Sequence, residues 1–272
     1  MRLTFLGTAA AEGIPGLWCP CEYCRKAAVA GGKEIRHRTG YMLDDDTAID
    51  FGPDFFSQSL TYGIDLLKID RVLFTHAHED HMNAREFGYR TPGFCKVAKN
   101  IDIVGSPVVH SRMVRTLGAE YADLYLNKIC TRHGEWVTSG NVEVMGIPAD
   151  HAPGLDPLIL LIRRNGKTLL LAHDTGMLTE KAWNMLKGIE LDGLVLESTG
   201  ALEYPDMDAN HLGINGTVRF RDRLQELGCL KENTVVYVTH FSHNAHAMHD
   251  ELCAAFEPHG IKVAYDGLNM EF

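Results

Sequence analysis

The sequence predicts an α/β protein in which strands buried on both faces form the inside of a sandwich. Four short runs rich in Val, Leu and Ile support this prediction: Arg71–Thr75, Thr168–Ala172, Leu191–Leu196 and Thr234–Thr239. Helices are predicted over Gly105–Leu124, Thr179–Lys187, Gly213–Leu227 and Asn244–Phe256. No internal repeat or long linker divides the 272 residues, so we expect one domain over residues 1–272.

Composition and charge restrict the partners of this chain. The residues are 45% hydrophobic, which is enough for a large core, and the formal net charge is -10. A negative field disfavours nucleic-acid backbones and anionic membranes, and no apolar run approaches the roughly 20 residues that span a bilayer. The first residues lack the pattern of a secretory signal. We therefore expect a cytoplasmic protein that acts on a small molecule and can form a homodimer.

The segment that follows the run Arg71–Thr75 is rich in metal-binding side chains: His76, His78, Asp80 and His81. Because alternate residues of an extended chain point the same way, His76 and His78 can reach one metal, and the last two residues can bind a second. Imidazole suits zinc, manganese or iron, and carboxylate suits harder ions, so the mixed set predicts a dinuclear hydrolytic centre. An exposed His-rich turn is the alternative.

This H-x-H-x-D-H segment resembles the signature of the metallo-β-lactamase-fold hydrolases, whose fold is a four-layer αββα sandwich. The resemblance implies that the first two His residues hold one metal with a later His. It also implies that the Asp and the last His hold a second metal with another His, and that an Asp bridges the two. Three residues follow apolar strands in the expected order: His151, Asp174 and His240. His173 alternates to the opposite side from Asp174 and is not expected to be a ligand.

Three cysteines lie close together in Cys19-Pro-Cys-Glu-Tyr-Cys24. Thiolates spaced C-x-C-x-x-C provide three of the four tetrahedral ligands of a closed zinc site: Cys19, Cys21 and Cys24. The odd total of seven cysteines also argues against a disulfide framework. His243 can supply the fourth ligand, because the chain is expected to turn into a helix between His240 and His243.

The cysteine loop 19–24 and the segment Thr239-His-Phe-Ser-His243 together resemble a narrower group, the phosphoribosyl cyclic phosphodiesterases of the carbon-phosphorus lyase pathway. In that group a matching loop and the second His of T-H-x-S-H hold one structural zinc. The resemblance implies the same here, with two divalent ions, Mn or Zn, in the active site. The segment from Asn210 to Asn215 is similar to the group's N-H-x-x-x-N stretch, which implies that His211 contacts the substrate and protonates the leaving oxygen. A helix-capping Asn210 beside an exposed His211 is the alternative.

The narrower resemblance implies a metal-dependent phosphodiesterase with Asp80 and His211 in catalytic roles. Its expected substrate is a small, cyclic phosphodiester such as phosphoribosyl 1,2-cyclic phosphate. Three alternatives use the same fold: a tRNA 3′-processing nuclease, a thioesterase, and an accessory or carrier protein like the pyrroloquinoline quinone biosynthesis B proteins. The lack of a basic inserted arm disfavours the nuclease, and the full set of metal ligands disfavours the carrier.

For most of the other notable residues we expect structural roles. Arg36 and Arg38 either meet a phosphate or lie on a solvated hairpin edge. Asp44–Asp46 is expected to be a solvated turn between two strands of a hairpin. The remaining cysteines are predicted to be buried thiols: Cys95, Cys130, Cys229 and Cys253. Surface or structural positions are expected for His37, His110, His133, His246, His249 and His259. Residues 88–136 match no motif.

Overall fold

Two seven-stranded sheets form the inside of the protein. The computed structural model describes residues 1–96, 99–118, 121 and 124–272. The first sheet contains β1 (Arg2–Gly7), β2 (Gly40–Leu43), β3 (Thr47–Ile49), β4 (Arg71–Leu73), β5 (Ile101–Gly105), β6 (Leu126–Cys130) and β14 (Asn269–Glu271). The second contains β7 (Trp136–Ser139), β8 (Val142–Pro148), β9 (Leu158–Arg164), β10 (Lys167–Ala172), β11 (Leu191–Glu197), β12 (Leu230–Thr239) and β13 (Lys262–Val263).

The strand order is β14-β1-β2-β3-β4-β5-β6 in the first sheet and β13-β12-β11-β10-β9-β8-β7 in the second. Strands β3 to β6 run parallel to one another, as do β10 to β13. The carboxyl ends of each parallel set therefore lie at one edge of its sheet, which is where ligands usually bind in α/β proteins.

Helices cover the outer faces of both sheets. They are α1 (Glu22–Ala30), α2 (Phe55–Tyr62), α3 (Pro107–Leu117), α4 (Glu180–Leu186), α5 (Ile214–Glu226) and α6 (His249–Phe256). One apolar cluster lies between the two sheets, a second packs α2 and α3 on the first sheet, and a third packs α4 and α5 on the second. This arrangement confirms the predicted four-layer αββα sandwich.

The predicted elements are present with shifted ends. The two predicted helices in the middle of the second half become α4 and α5, each shorter at both ends. The helix predicted from Asn244 begins only at His249, because a short 3₁₀ turn and His246 with φ of 51° come first. The helix predicted over Gly105–Leu124 is α3, and residues 119, 120, 122 and 123 of that prediction lie outside the described residues.

The acidic turn Asp44–Asp46 is not simply solvated, so that part of the prediction was wrong. Both carboxylate oxygens of Asp46 accept hydrogen bonds from the guanidinium of Arg164 at 2.7 and 2.8 Å. Arg71 also lies 3.1 Å from Asp46 and donates to Ser139 at 3.0 Å. Because Asp46 lies in the turn between β2 and β3 and Arg71 lies on β4 of the first sheet, whereas Arg164 and Ser139 belong to the second, these contacts join the sheets at the edge opposite the carboxyl ends.

Two further sequence-based expectations concern the thiols and the membrane. Of the four scattered cysteines, Cys229 is buried, whereas Cys95, Cys130 and Cys253 are half-buried, so the prediction of buried thiols was wrong for those three. Among the described residues, no helix is both long and apolar enough to cross a bilayer.

Candidate metal centre

The ends of four strands bring the candidate ligands together. The loop from His76 to His81 follows β4 in the first sheet. In the second sheet, His151 follows β8, Asp174 follows β10 and His240 follows β12. Asp174 and His240 have φ of 57° and 60°, a left-handed conformation that non-glycine residues adopt rarely and mainly where the surroundings impose it.

The first set of ligand atoms converges closely. Nδ1 of His78 lies 2.9 Å from Nε2 of His76 and 3.1 Å from Nε2 of His151. Oδ2 of Asp174 lies 3.1 Å from the same nitrogen of His76 and 3.4 Å from that of His151. Ligands at 2.0–2.1 Å around a tetrahedral zinc are separated by about 3.3 Å, so the spacing of these four atoms fits one cation.

The second set shares Asp174 with the first. Nε2 of His81 lies 3.1 Å from Oδ2 of Asp80 and 3.1 Å from Oδ2 of Asp174. Nε2 of His240 lies 3.8 Å from Oδ1 of Asp174. One carboxylate therefore faces both sets of imidazoles, which is the arrangement that the resemblance implies for the bridging Asp174.

Buried polar atoms at the centre fit bound cations. Nε2 of His240 and Oδ1 of Asp174 are buried and have no hydrogen-bond partner among the described residues. A buried polar group without a partner is costly, and a cation between the two atoms would satisfy both.

The charge of Asp174 also favours a bound cation. Burial raises the pKa of Asp174, while His240, His76 and His81 hold it well below its usual range. The carboxylates of Asp80 and Asp174 therefore favour a positive charge between the ligand atoms.

A hydroxyl fixes the tautomer of His240. Oγ1 of Thr199 donates to the backbone oxygen of His240 at 2.9 Å, since a carbonyl can only accept. The same hydroxyl oxygen lies 2.8 Å from Nδ1 of His240 and accepts its proton. Burial lowers the pKa of His240 to about 4, so the neutral ring presents an unprotonated Nε2 to the centre.

A buried carboxylate holds His211 beside the centre. Glu197 ends β11, is fully buried, and accepts at 2.9 Å from Nδ1 of His211. Its two oxygens also accept the backbone N–H groups of Thr175, Thr199 and Leu212 at 2.8–3.1 Å. Although burial alone lowers the pKa of His211, the hydrogen bond and charge of Glu197 raise it to about 9. His211 is therefore placed as a charged imidazolium whose Nε2 can give a proton.

The alternative for Asn210 as a helix cap was wrong. Helix α5 begins at Ile214 after Gly213, and Asn210 lies before it in a loop, with φ of 61°. The backbone N–H of Asn210 donates to Oδ2 of Asp150 at 3.0 Å, which ties the loop of His211 to the residue before His151.

The cysteine loop forms a second, separate cluster. The sulfurs of Cys19, Cys21 and Cys24 and a ring nitrogen of His243 all lie within 4.8 Å of one another. The backbone N–H of Cys24 donates to Cys21 and is the main cause that lowers the pKa of Cys21 to about 6. His243 packs against Gly16, where an added Cβ would come within 2.7 Å of the ring. Three thiols and one imidazole in this spacing are the donor set of a structural zinc site.

The two arginines that precede the hairpin make contacts outside the candidate centre. Arg36 is buried and donates to Thr8 at 2.8 Å and to the backbone oxygen of Ala264 at 2.7 Å. Arg38 makes hydrogen bonds of 3.1 Å to both carboxylate oxygens of Asp54. Arg36 therefore meets neither a phosphate nor a solvated edge, because its guanidinium is used to join distant parts of the chain.

The remaining histidines have structural contacts or surface positions. His110 and His249 are buried; His110 lies 3.0 Å from the backbone oxygen of Ile129, and His249 lies 3.0 Å from Arg36. His37 pairs with Asp266 at 2.9 Å and His133 with Asp156 at 2.7 Å. None of these contacts involves a residue of the candidate metal centre.

Sequence reasoning assigned no role in the centre to four residues that support it: Asp50, Thr75, Glu197 and Thr199. Asp50 and Glu197 follow apolar runs just as Asp174 does, and that position was the available signal. Asp50 is fully buried and accepts at 2.7 Å from Nδ1 of His81. Its other oxygen accepts the backbone N–H of Thr75 at 2.9 Å, and the hydroxyl of Thr75 lies 3.1 Å from Nδ1 of His76. One carboxylate thus supports a ligand of each set.

Comparisons with known proteins agree with this geometry. A family model described as "Beta-lactamase superfamily domain" matches residues 47–241. No curated protein matches the sequence. Among solved structures, a diphosphatase from the PhnP family is similar over 100% of this chain and 97% of its own, with 24% identity and a TM-score of 0.73.

Two other solved structures have the same fold. Zn²⁺-bound PqqB from Methylobacterium extorquens is 18% identical, with a TM-score of 0.75 and complete coverage (100%) of both chains. The short form of human tRNase Z is 14% identical, with a TM-score of 0.66, and the match covers 100% of this chain and 99% of the other. The family model spans most of the chain and includes every candidate active-site ligand, so the protein belongs to the β-lactamase superfamily and is a metallo-β-lactamase-fold hydrolase.

Proposed function

We propose that the protein is a dinuclear metal-dependent phosphodiesterase that hydrolyses a small, cyclic phosphodiester such as phosphoribosyl 1,2-cyclic phosphate. The observation that carries this proposal is the position of Asp174, whose carboxylate lies within 3.1 to 3.4 Å of three imidazoles from both ligand sets. The likeness to a diphosphatase from the PhnP family supports phosphoryl chemistry.

The ligand residues divide between two ions. His76, His78 and His151 would hold one, Asp80, His81 and His240 would hold the other, and Asp174 would face both. Divalent cations bound there lower the pKa of water toward neutrality and offset the charge of a phosphoryl group. Zinc and manganese both accept this mixture of imidazole and carboxylate.

His211 is the proposed general acid. Its Nδ1 donates to Glu197 at 2.9 Å, which leaves Nε2 as the nitrogen that gives a proton to the departing alkoxide. The side chain of His211 is 26% exposed, so a substrate can reach it from the solvent. Glu197 keeps the ring charged before the transfer and orients it during the transfer.

The competing functions on this fold receive less support. A net charge of -10 disfavours a long RNA such as the tRNA bound by a processing nuclease. A carrier or accessory protein needs no complete pair of ligand sets and no buried Glu–His pair, and this chain has both. A thioesterase would not need a general acid, because its leaving group is a thiolate, whereas the departure of an alkoxide requires one.

The test is hydrolysis by the metal-replete protein of bis-p-nitrophenyl phosphate and a panel containing cyclic phosphates, a dinucleotide diphosphate and a thioester. Metal content is measured on the same sample. We expect turnover of the cyclic phosphates that requires two ions beyond the zinc of the cysteine loop. Thioester hydrolysis alone, or no turnover at full occupancy, would overturn the proposal, and faster cleavage of the diphosphate would reassign the substrate class.

A further inference from the structure

His173 is a buried histidine that is neither a predicted ligand nor part of the proposed proton transfer. It lies between Ala172, the last residue of β10, and Asp174, and its side chain is 0% exposed. Its Nε2 lies 3.1 Å from Oδ2 of Asp50, the oxygen that also accepts from Nδ1 of His81. Its Nδ1 lies 3.3 Å from the hydroxyl of Tyr41 on β2 in the opposite sheet.

The donors and acceptors of this group can be assigned from chemistry. The carboxylate of Asp50 accepts the backbone N–H of Thr75 on Oδ1, and its Oδ2 lies 2.7 Å from Nδ1 of His81 and 3.1 Å from Nε2 of His173, so that it accepts from both rings. His81 must therefore carry its proton on Nδ1 and His173 on Nε2. With that proton on Nε2, Nδ1 of His173 is the acceptor for the hydroxyl of Tyr41.

The rings of His173 and His81 are also packed on each other. Their centroids are 5.2 Å apart and their planes differ by 10°. The ring of Tyr41 lies 5.4 Å from that of His173 on the inner face of the first sheet. The cluster between the sheets is otherwise apolar, and burying an imidazole and a phenol there is favourable only if their polar atoms are paired.

We propose that His173, held by Tyr41, is a positioning residue that fixes the orientation and tautomer of His81 for the second active-site ion. His173 acts from two sides, since it shares the acceptor oxygen of Asp50 with His81 and stacks against the ring. Neither ring nitrogen of His173 is available to an ion, because Asp50 and Tyr41 use both. The inference rests on the dinuclear site of the proposed function, but not on the identity of the substrate.

The orientation of His81 can be tested in the metal-free protein, independently of any activity. We expect the Nδ1 proton of His81 to give a downfield, slowly exchanging NMR signal, since a buried carboxylate accepts it. In His173→Leu, which keeps the volume but removes the donor, this signal is expected to broaden or exchange at least about 10-fold faster. An unchanged signal in a folded His173→Leu protein would overturn the proposal.

Metal affinity gives the second readout, with zinc competed against a chelator of known affinity. His173→Leu is expected to weaken one active-site ion by about 10–100-fold, the usual effect of losing a partner that orients a metal ligand. His173→Gln, whose amide can still donate to Asp50, should recover most of this loss. Tyr41→Phe removes one hydroxyl and should weaken the same ion by about 2–10-fold.

The matched control is His110→Leu. It removes another buried imidazole, whose Nε2 lies 3.0 Å from the backbone oxygen of Ile129, away from the metal ligands. Its zinc affinities should equal those of the unchanged protein. An equal loss in His110→Leu and His173→Leu, or in His173→Gln and His173→Leu, would show a merely structural role. If the unchanged protein binds no ion at the His/Asp centre, the proposed function fails, and the NMR signal still decides whether His173 orients His81.

Discussion

Oε1 of Glu197 lies 2.9 Å from Nδ1 of His211, and this pair joins the end of a central strand to the loop that precedes α5. The carboxylate is itself held by three backbone N–H groups, so it cannot turn away from the imidazole. The contact defines the direction from which a proton can reach a bound substrate.

His211→Ala is expected to slow hydrolysis of a cyclic alkyl phosphodiester by about 10²–10⁴-fold, because the alkoxide must leave without a donated proton. Bis-p-nitrophenyl phosphate should lose less than about 10-fold, since p-nitrophenolate leaves unprotonated. Steady-state kinetics on both substrates, with metal content held equal, measures the difference. Equal losses on both substrates would contradict the role of His211 as an acid.

Asp174→Ala is expected to lower turnover by about 1000-fold or more while leaving the fold intact. Asp174 faces both ligand sets, and alanine removes that carboxylate. Alanine also adds no atoms at this position, where φ is a left-handed 57°. Kinetics and circular dichroism on the same preparation check both parts. Asp192→Ala removes a buried carboxylate that bonds to Lys231 at 2.9 Å, and it should retain turnover. An active Asp174→Ala protein at full metal content would refute the assignment.

Cys21→Ser should remove one zinc per chain and lower the midpoint of thermal unfolding, while the ions of the His/Asp centre remain. The thiolate of Cys21 is one of four clustered donors, and a serine hydroxyl is a poor zinc ligand in its place. Elemental analysis and a thermal melt measure the two effects. Cys130→Ser, a cysteine outside the cluster, is the control and should keep the full zinc content. Unchanged zinc in Cys21→Ser would rule out the structural site.

Asp46→Asn should reveal the electrostatic contact between the sheets. Burial alone raises the pKa of Asp46, but Arg164, Thr47 and Arg71 lower it to about 2, against about 3.9 in an unfolded chain. Because the folded value is depressed, the contribution to stability is present above about pH 4 and is lost as the pH falls to about 2.

We therefore expect Asp46→Asn to lose about 1–2 kcal/mol of the free energy of unfolding at pH 7, allowing for partial solvent screening. The difference from the unchanged protein should disappear near pH 2. Urea titrations of both metal-free proteins across this range measure it. Asp45→Asn, whose carboxylate is 70% exposed beside Arg2, should change little. A difference that does not depend on pH would mean that the contact is not electrostatic.

The sequence was sufficient to predict the layers of the fold and the meeting of the ligand side chains at one edge. Residues such as Asp174 and His240 follow apolar strands, and parallel strands end at one edge, so their meeting is a consequence of topology. The strand β4 ends at Leu73, earlier than predicted, and the His76 loop still reaches the centre.

The supporting residues could not be assigned in the same way. His173 was expected not to be a ligand because it alternates with Asp174, but its partners Asp50 and Tyr41 are 123 and 132 residues away in sequence. Arg36 reaches His249 across 213 residues, and nothing local shows that its guanidinium is buried. Such contacts depend on the packing of the sheets, which a single sequence pattern does not encode.

The contacts at the two opposite edges of the sandwich have a mechanical consequence. Asp46 and Arg164 fasten the sheets at one edge, and Asp174 faces His76 and His81 across the other. Ions bound between those residues would cross-link the two sheets. Sliding one sheet over the other would then require breaking the contacts at both edges at once. The metal-loaded protein should then resist force and proteolysis across the whole molecule. Chelation should first loosen the edge at Asp174, while the contact of Asp46 with Arg164 still holds the opposite edge.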